Sequence, residues 1–264
     1  MSLIKNLEST IEIAKIVGYE LIQFKKKNKI LHKWNGDQLK TNSDIFANVL
    51  WKKLLKEKFS SFDIISEEDE SSTILLNKNF TGFILDPIDG TRSYFDNFKT
   101  YVTQIAYVES GIVLFSVVYA PELKKIFYAE KNQGAFLNGK LIISDNLHSI
   151  VNKKIRLIDN YSKPSKLIKK IMNINDISNY VECGSLGLKI SLIATNLADL
   201  MIKPNTCKIW DVAPPLLILN ESKGKLYEYN SQPILLNSLN KTNFMGLIAC
   251  SSRIKITNIS INKK

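Results

Sequence analysis

The chain has 264 residues, of which 45% are hydrophobic and 23% are charged, as is typical of a folded protein with a sizeable core. No apolar run approaches the ~20 residues of a membrane-spanning helix, and the amphipathic start lacks a secretory-signal pattern, so we expect a cytoplasmic protein without a membrane segment. The net charge of +11 comes from lysines spread along the chain without a recognisable nucleic-acid-binding motif. We therefore do not expect a nucleic-acid partner.

The sulfur and imidazole side chains narrow the chemistry further. The three cysteines are scattered and lack C-x-x-C spacing, which argues against a disulfide framework and against a thiolate metal site. Only two histidines are present, so we do not expect histidine-based catalysis or a histidine metal site. Hydrolytic chemistry in this chain would depend on carboxylates, hydroxyls and bound metal.

The first part of the chain alternates between helical and extended patterns. Apolar residues at helical spacing predict a helix over 3–29, and the tripeptide NGD at 35–37 predicts a turn. The pattern over 43–54 predicts a second helix. A short strand is predicted over 62–65, and it leads into the acidic run EEDE at 67–70.

From residue 82 onward strands predominate. The apolar run 82–85 stops at Asp86 and predicts a strand, and Asn138-Gly139 predicts a tight hairpin. Further strands are predicted over 102–108, 113–119 and 126–129. Beyond residue 150 strands and helices alternate, with elements over 154–158, 163–172, 186–195, 200–202 and 214–219. We therefore predict an α+β half over residues 1–150 and an α/β half over 151–264.

The segment DPIDGT at 86–91 is the most informative part of the sequence. A strand that runs into Asp86 and Asp89 presents two carboxylates at its end. Proline stiffens the turn between them, and Gly90-Thr91 can open a helical turn whose backbone N–H groups face an anion. Mg²⁺ prefers carboxylate and carbonyl oxygens and also binds substrate phosphates. The segment therefore predicts a metal-bridged phosphate site.

Two other segments supply carboxylates. One is the acidic run after the strand over 62–65, and the other is Asp211, which we expect just before a helix beginning near Pro214. Each fragment alone is common in exposed loops and turns. Their combination is what makes a shared site the better interpretation.

The segments IISEED, FILDPIDGTRSY, GSLGLK and KIWDVA, in this order, resemble the inositol monophosphatase superfamily of lithium-sensitive, magnesium-dependent phosphatases. The resemblance extends from about Lys33 to Gly224. It implies a layered αβαβα sandwich, an α+β or α/β fold of the sugar-phosphatase type, often assembled as a homodimer. It also implies hydrolysis of a small phosphate monoester by metal-activated water.

Residue roles follow from the resemblance position by position. The implied Mg²⁺ ligands are Glu67, Asp86, the backbone carbonyl of Ile88, Asp89 and Asp211. The implied catalytic groups are Thr91, its partner Asp44, and Glu68 behind the metal ligands. The implied substrate contacts are Gly90, Thr91, Gly184, Ser185 and Lys189. Thr91 alone would equally suit a helix cap, and Lys189 an exposed helix position.

The sequence departs from the family at a position that affects substrate specificity. Inositol-hydrolysing members carry an acidic residue seven positions before the aspartate of the W-D block, and this chain has Pro204 there. GAFLNG resembles inositol monophosphatases, and DGTR resembles histidinol-phosphate phosphatases. VVYAP and GSLGLK resemble 3'(2'),5'-bisphosphate nucleotidases, which act on adenosine 3',5'-bisphosphate. A non-enzymatic regulator that binds RNA or protein on the same fold is a further alternative, supported only by the basic charge.

Overall fold

The computed structural model describes residues 3–36, 38–59, 62–142, 155–160, 163–237 and 241–261. The helices are α1 Leu3–Lys27, α2 Asn42–Lys58, α3 Thr91–Phe95, α4 Lys166–Ile174, α5 Leu186–Ala194 and α6 Ile209–Glu221. The strands of the first 142 residues are β1 His32–Asn35, β2 Gln38–Thr41, β3 Asp63–Ser66, β4 Gly82–Asp89, β5 Val102–Glu109, β6 Ile112–Ala120, β7 Lys125–Glu130, β8 Gly134–Leu137 and β9 Lys140–Leu141. The later strands are β10 Arg156–Asp159, β11 Asn179–Glu182, β12 Leu200–Lys203, β13 Cys207–Lys208, β14 Lys225–Glu228, β15 Asn243–Phe244 and β16 Leu247–Cys250.

Two large sheets and three helical layers alternate. A seven-stranded sheet in the order β3-β4-β5-β6-β7-β8-β9 has α1 and α2 on one face and α5 and α6 on the other. Beyond α5 and α6 lies a five-stranded sheet in the order β11-β10-β12-β16-β14, and α4 covers its outer face. The predicted αβαβα sandwich is confirmed.

Strand β4 lies deep in this arrangement. All eight of its residues are buried because helices cover both faces of the sheet. It pairs in parallel with β3 and antiparallel with β5. The carboxyl ends of β3 and β4 therefore reach the same edge of the sheet, and this edge carries the acidic segments.

Strand β4 presents both carboxylates at its end, as predicted. It continues beyond the apolar run 82–85 to Asp89, pairing Asp86 with Gln104 and Asp89 with Val102. The register shifts between these two pairs. The shift accommodates Pro87, which has no N–H to give to a sheet ladder.

The predicted start of α6 was wrong. The helix begins at Ile209 instead of near Pro214, so Asp211 lies in its first turn and both prolines lie inside it. Pro214 lacks the N–H that would bond the carbonyl of Trp210. The Gln104 side chain of β5 donates to that carbonyl at 3.1 Å instead, which removes the main cost of the proline.

Other expectations have clear outcomes. The hairpin at Asn138-Gly139 is confirmed, with φ of +50° and +83° at the two residues. The β1–β2 ribbon was not predicted from sequence. Within the described residues no helix is long and apolar enough to cross a membrane. All three cysteines are buried and unpaired. The predicted junction of the two halves near residue 150 lies outside the described residues.

Candidate metal and phosphate-ester site

The site lies in a cleft of about 400 Å³ at the sheet edge where β3 and β4 end. The residues that line the cleft are Trp34, Gln38, Leu39, Glu67, Asp86, Ile88, Asp89, Gly90, Thr91, Arg92, Asn160, Lys203 and Asp211. They include all five expected metal ligands, together with Gly90 and Thr91. The volume falls within the usual range of small-molecule sites, about 300–1,000 Å³.

Three carboxylates converge at the base of this cleft. One side-chain oxygen from each of Asp86, Asp89 and Asp211 lies within 4.8 Å of the others. Asp86 and Asp89 come from β4, whereas Asp211 comes from the first turn of α6, where its Oδ2 accepts from the backbone N–H of Lys208 at 2.8 Å. Glu67 follows β3, and its backbone N–H donates to the carbonyl of Leu85 on β4 at 3.2 Å.

The carboxylates destabilise one another in their charged form. Burial, then the charges of Glu67 and Asp89, raise the pKa of Asp86 well above its usual value. Burial, then Asp211 and Glu68, raise the pKa of Glu67. Burial and the Asp89 charge raise the pKa of Asp211 to about 6. A bound cation would remove this repulsion, because an opposite charge favours the ionised form.

The donor set fits a hard divalent cation. Carboxylates predominate, and Asp86 Oδ1 is buried with no hydrogen-bond partner among the described residues. Such an orphaned oxygen is costly unless it has a partner, and a metal ion is one. Six to eight oxygen ligands for Ca²⁺, or carboxylates completed by water for Mg²⁺, both suit this arrangement.

Thr91 and Asp44 are hydrogen-bonded across the edge of the cleft. The Thr91 hydroxyl lies 2.9 Å from Asp44 Oδ1 and 3.1 Å from the carbonyl of Ile88, so its single proton can go to either acceptor. Asp44 is fixed by a capping box at the start of α2: its Oδ2 accepts from the backbone N–H of Thr41 at 2.7 Å and from its hydroxyl at 2.6 Å. Burial raises the pKa of Asp44, and these hydrogen bonds partly oppose that rise.

Glu68 lies behind Glu67. It is not one of the residues that line the cleft, and its Oε2 is 3.6 Å from the ammonium of Lys40. Its charge contributes to the raised pKa of Glu67. This position suits a group that tunes the metal ligands, and it does not bring Glu68 into contact with the cleft.

The GSLG segment is tied to Asp89. Ser185 caps α5 by accepting from the N–H of Leu188 at 2.9 Å, and its hydroxyl donates to Asp89 Oδ2 at 2.5 Å. Asp89 also accepts from the N–H groups of Leu186 at 3.2 Å and Gly187 at 2.5 Å. These two amides at the helix start are therefore already engaged by a carboxylate, and Gly184 and Ser185 lie outside the cleft lining.

Gly90 is required by this close packing. Its φ is +88°, and a Cβ there would lie 3.2 Å from the Cα of Ser185. Both features exclude a larger residue without strain. The tight approach of the two chain segments is what lets Asp89 reach the start of α5.

Several cleft residues were missed in the sequence. Asn160 follows β10 and Lys203 ends β12; these strands pair in parallel, so their carboxyl ends meet at the cleft. Trp34 enters from β1. Lys189 of α5, by contrast, was named from the family resemblance, but it lies outside the cleft lining. The alternative of an exposed helix position is wrong, since 4% of its surface is exposed and its ammonium donates to Asn160 Oδ1 at 2.5 Å. Had the parallel pairing of β10 and β12 been predicted, it would have placed Asn160 and Lys203 at a ligand site, because ligands bind beyond the carboxyl ends of parallel strands.

Comparisons with known proteins agree with the geometry. Residues 5–257 match the profile of the Inositol monophosphatase family. The chain is 24% identical to the 3'(2'),5'-bisphosphate nucleotidase CysQ of Aggregatibacter actinomycetemcomitans, with 88% of this chain and 87% of that one covered. It is 27% identical to the fructose-1,6-bisphosphatase/inositol-1-monophosphatase of Thermotoga maritima, with 92% of each covered.

A solved structure shares the fold. The Thermotoga maritima IMPase superposes with a TM-score of 0.80 at 22% identity, covering 96% of this chain and 95% of that one. The match extends across both sheets, since it covers nearly the whole chain. This chain belongs to the inositol monophosphatase family, whose members are metal-dependent hydrolases of phosphate monoesters.

Proposed function

We propose that this protein hydrolyses a small phosphate monoester with Mg²⁺ held by Glu67, Asp86, Asp89, Asp211 and the carbonyl of Ile88. The observation that carries the proposal is the convergence of three carboxylates within 4.8 Å at the base of a cleft. When bound, Mg²⁺ supplies positive charge that neutralises phosphate oxygens and makes water more acidic. The carboxylates would hold the cation at the sheet edge, where its charge would attract the phosphate of the ester.

Thr91 and Asp44 are the proposed catalytic pair. The Thr91 hydroxyl donates a hydrogen bond to Asp44, and its oxygen can accept one from the attacking water. As the water attacks, its proton passes to the Thr91 oxygen while the Thr91 proton passes to the Asp44 carboxylate, which acts as the base. The Asp44 carboxylate stabilises that arrangement and fixes the orientation of the hydroxyl. Glu68 is a positioning residue that acts through the neighbouring Glu67. Attack by water requires no covalent phosphoenzyme.

A second group of residues favours a substrate with two phosphates, such as adenosine 3',5'-bisphosphate, over inositol 1-phosphate. Burial lowers the pKa of Lys189, whose ammonium has Asn160 as its hydrogen-bond partner. Lys203 lines the cleft beside Asn160. Among the described residues, no carboxylate forms an ion pair with either lysine. A second phosphate would supply the missing negative charge.

The position of Pro204 supports the same choice. The family resemblance places an acidic residue there in inositol-hydrolysing members, where it accepts from sugar-like hydroxyls. Here Pro204 is exposed, and the preceding Lys203 is the residue that reaches the cleft. This side of the cleft therefore carries the positive charge of Lys203, which suits a second phosphate better than the hydroxyl groups of inositol.

The proposal is tested by phosphate release from adenosine 3',5'-bisphosphate, fructose 1,6-bisphosphate and inositol 1-phosphate, with and without Mg²⁺. We expect Mg²⁺-dependent release that is fastest from a bisphosphate. Lys203→Met should raise the KM for the bisphosphate about tenfold relative to that for inositol 1-phosphate, the cost of one charge-assisted contact. Preference for inositol 1-phosphate would refute the two-phosphate choice, and no release from any ester would refute the phosphatase proposal.

We also propose a homodimer located in the cytoplasm, as the family resemblance implies. Sedimentation equilibrium tests the assembly directly. A mass of about twice the 30.0 kDa of one chain is expected. A mass equal to one chain at micromolar concentration would refute it.

A further inference from the structure

Trp34 supplies the exposed apolar surface of the cleft. The other apolar side chains that line it, Leu39 and Ile88, are 7% and 1% exposed, whereas Trp34 is 48% exposed. The chain has three tryptophans, and Trp51 and Trp210 are 0% and 1% exposed. A large aromatic ring left open to a ligand cleft is informative, because its burial by a ligand would be favourable.

The ring is held in place from two sides. Trp34 is on β1 and pairs across the ribbon with Leu39 of β2, which is buried and fixes the inner side of the hairpin. The guanidinium carbon of Arg92 lies 5.4 Å from the centre of the indole ring, and Arg92 is itself paired with Asp96, which follows α3. Trp34 and Thr91 line the same cleft, so the indole and the proposed catalytic hydroxyl face the same ligand.

We infer that Trp34 is a stacking surface for a planar aromatic part of the substrate, of the size of a nucleobase. The inference rests on the proposed phosphatase function and adds the residue that would select a nucleotide among phosphate esters. The reacting phosphate would lie at the base of the cleft, where the carboxylates would hold Mg²⁺. Lys203 at the end of β12 and Asn160, just after β10, would face another anionic group. Every base has a π-face, so stacking on an aromatic side chain recognises nucleotides without reading the base identity.

A merely structural role for Trp34 is the competing explanation. In that case the indole serves only to hold the hairpin against Arg92, and its loss would affect all substrates alike. A stacking role instead changes discrimination between an aromatic and a non-aromatic bisphosphate. The relevant quantity is therefore the ratio of KM for adenosine 3',5'-bisphosphate to KM for fructose 1,6-bisphosphate.

The first experiment measures that ratio in the wild type, Trp34→Ala, Trp34→Phe and the control Tyr19→Ala. Tyr19 on α1 is 57% exposed and lies outside the cleft lining, so its variant removes an exposed aromatic elsewhere. We expect Trp34→Ala to raise the ratio about tenfold, since base–aromatic stacking is typically worth that much or more. Trp34→Phe should recover most of the loss, and Tyr19→Ala should leave the ratio unchanged. A ratio unaffected by Trp34→Ala would overturn the inference.

The second experiment requires no turnover. Adenosine 5'-monophosphate, a nucleotide that the enzyme would release, is titrated into metal-loaded protein while tryptophan fluorescence is recorded. Stacking on Trp34 should quench emission in the wild type, and Trp34→Phe should abolish the quenching because the two remaining tryptophans are buried. Quenching that persists in Trp34→Phe, or its absence in the wild type, would overturn the inference. This readout decides the role of Trp34 even if no phosphate ester is hydrolysed, an outcome that would refute the proposed function alone.

Discussion

The contact between Gln104 and the Trp210 carbonyl joins the seven-stranded sheet to helix α6 beside the site. Pro214, four residues after Trp210, cannot donate the usual helical hydrogen bond. Gln104 Nε2 donates to the carbonyl at 3.1 Å and lies 3.4 Å from Asp86 Oδ2. Gln104 and Trp210 are 0% and 1% exposed, so water is not expected to replace the amide.

Gln104→Met removes the donor while keeping a side chain of similar length. It leaves the Trp210 carbonyl buried without a partner, which costs about 1–3 kcal/mol of unfolding free energy. In a Pro214→Ala background the restored backbone N–H at position 214 can bond that carbonyl. The same Gln104→Met change should then cost about 1 kcal/mol less, and the lost contact with Asp86 cancels because it is common to both backgrounds.

Urea unfolding of the wild type, both single variants and the double variant measures this coupling. The measurements are made in chelator, so that metal binding does not contribute to the unfolding free energy. Equal costs of Gln104→Met in the two backgrounds, within about 0.5 kcal/mol, would refute the assignment of Gln104 as the replacement donor.

Three further predictions concern the site residues. Asp89→Asn should lower kcat at least about 100-fold in a Mg²⁺ phosphate-release assay, and wild-type turnover would contradict this prediction. Urea unfolding of the same variant should show a loss of about 1 kcal/mol in unfolding free energy, because the amide cannot accept all the hydrogen bonds at the start of α5. Thr91→Ala should lower kcat about 100-fold while Thr91→Ser retains most of it, and equal loss in both would show that the hydroxyl is not the active group. In metal-free protein the pKa of Asp211 is about 6 in the folded state, above its ordinary value of 3.8. The unfolded chain therefore loses this proton at lower pH than the folded protein does. The stability that Asp211 contributes is present at low pH and is lost as pH rises from about 4 to 6. The difference in unfolding free energy between the wild type and Asp211→Asn should fall across that window, and a rise would contradict the assignment.

The carboxylate cluster was accessible from sequence because each member follows or opens a regular element. Asp86 and Asp89 belong to β4, and Asp211 opens α6, so their placement depends mainly on local structure. The family resemblance then supplied the order in which these segments assemble. The hairpin at Asn138-Gly139 was predictable for the same reason, since its left-handed φ values are a local property.

The surroundings of two prolines were misjudged from sequence. Pro87 was expected in a turn and Pro214 at the start of a helix, because these are the local preferences of proline. Both prolines lie inside their elements, as a register shift in β4 and the donation from Gln104 compensate for the missing N–H groups. The compensating groups lie on other elements, so local sequence did not reveal them.

The layered fold, the acidic centre and the pairing of Thr91 with Asp44 could be predicted from sequence, because element-end motifs and the family resemblance specify them. Local patterns did not reveal that Asp89 engages the start of α5, that Lys189 is buried beside Asn160, or that Trp34 faces the cleft. These contacts join segments 29 to 98 residues apart or depend on which side of a hairpin faces inward. Packing between the layers determines these contacts, and the local sequence around one residue does not predict which distant residue it will contact.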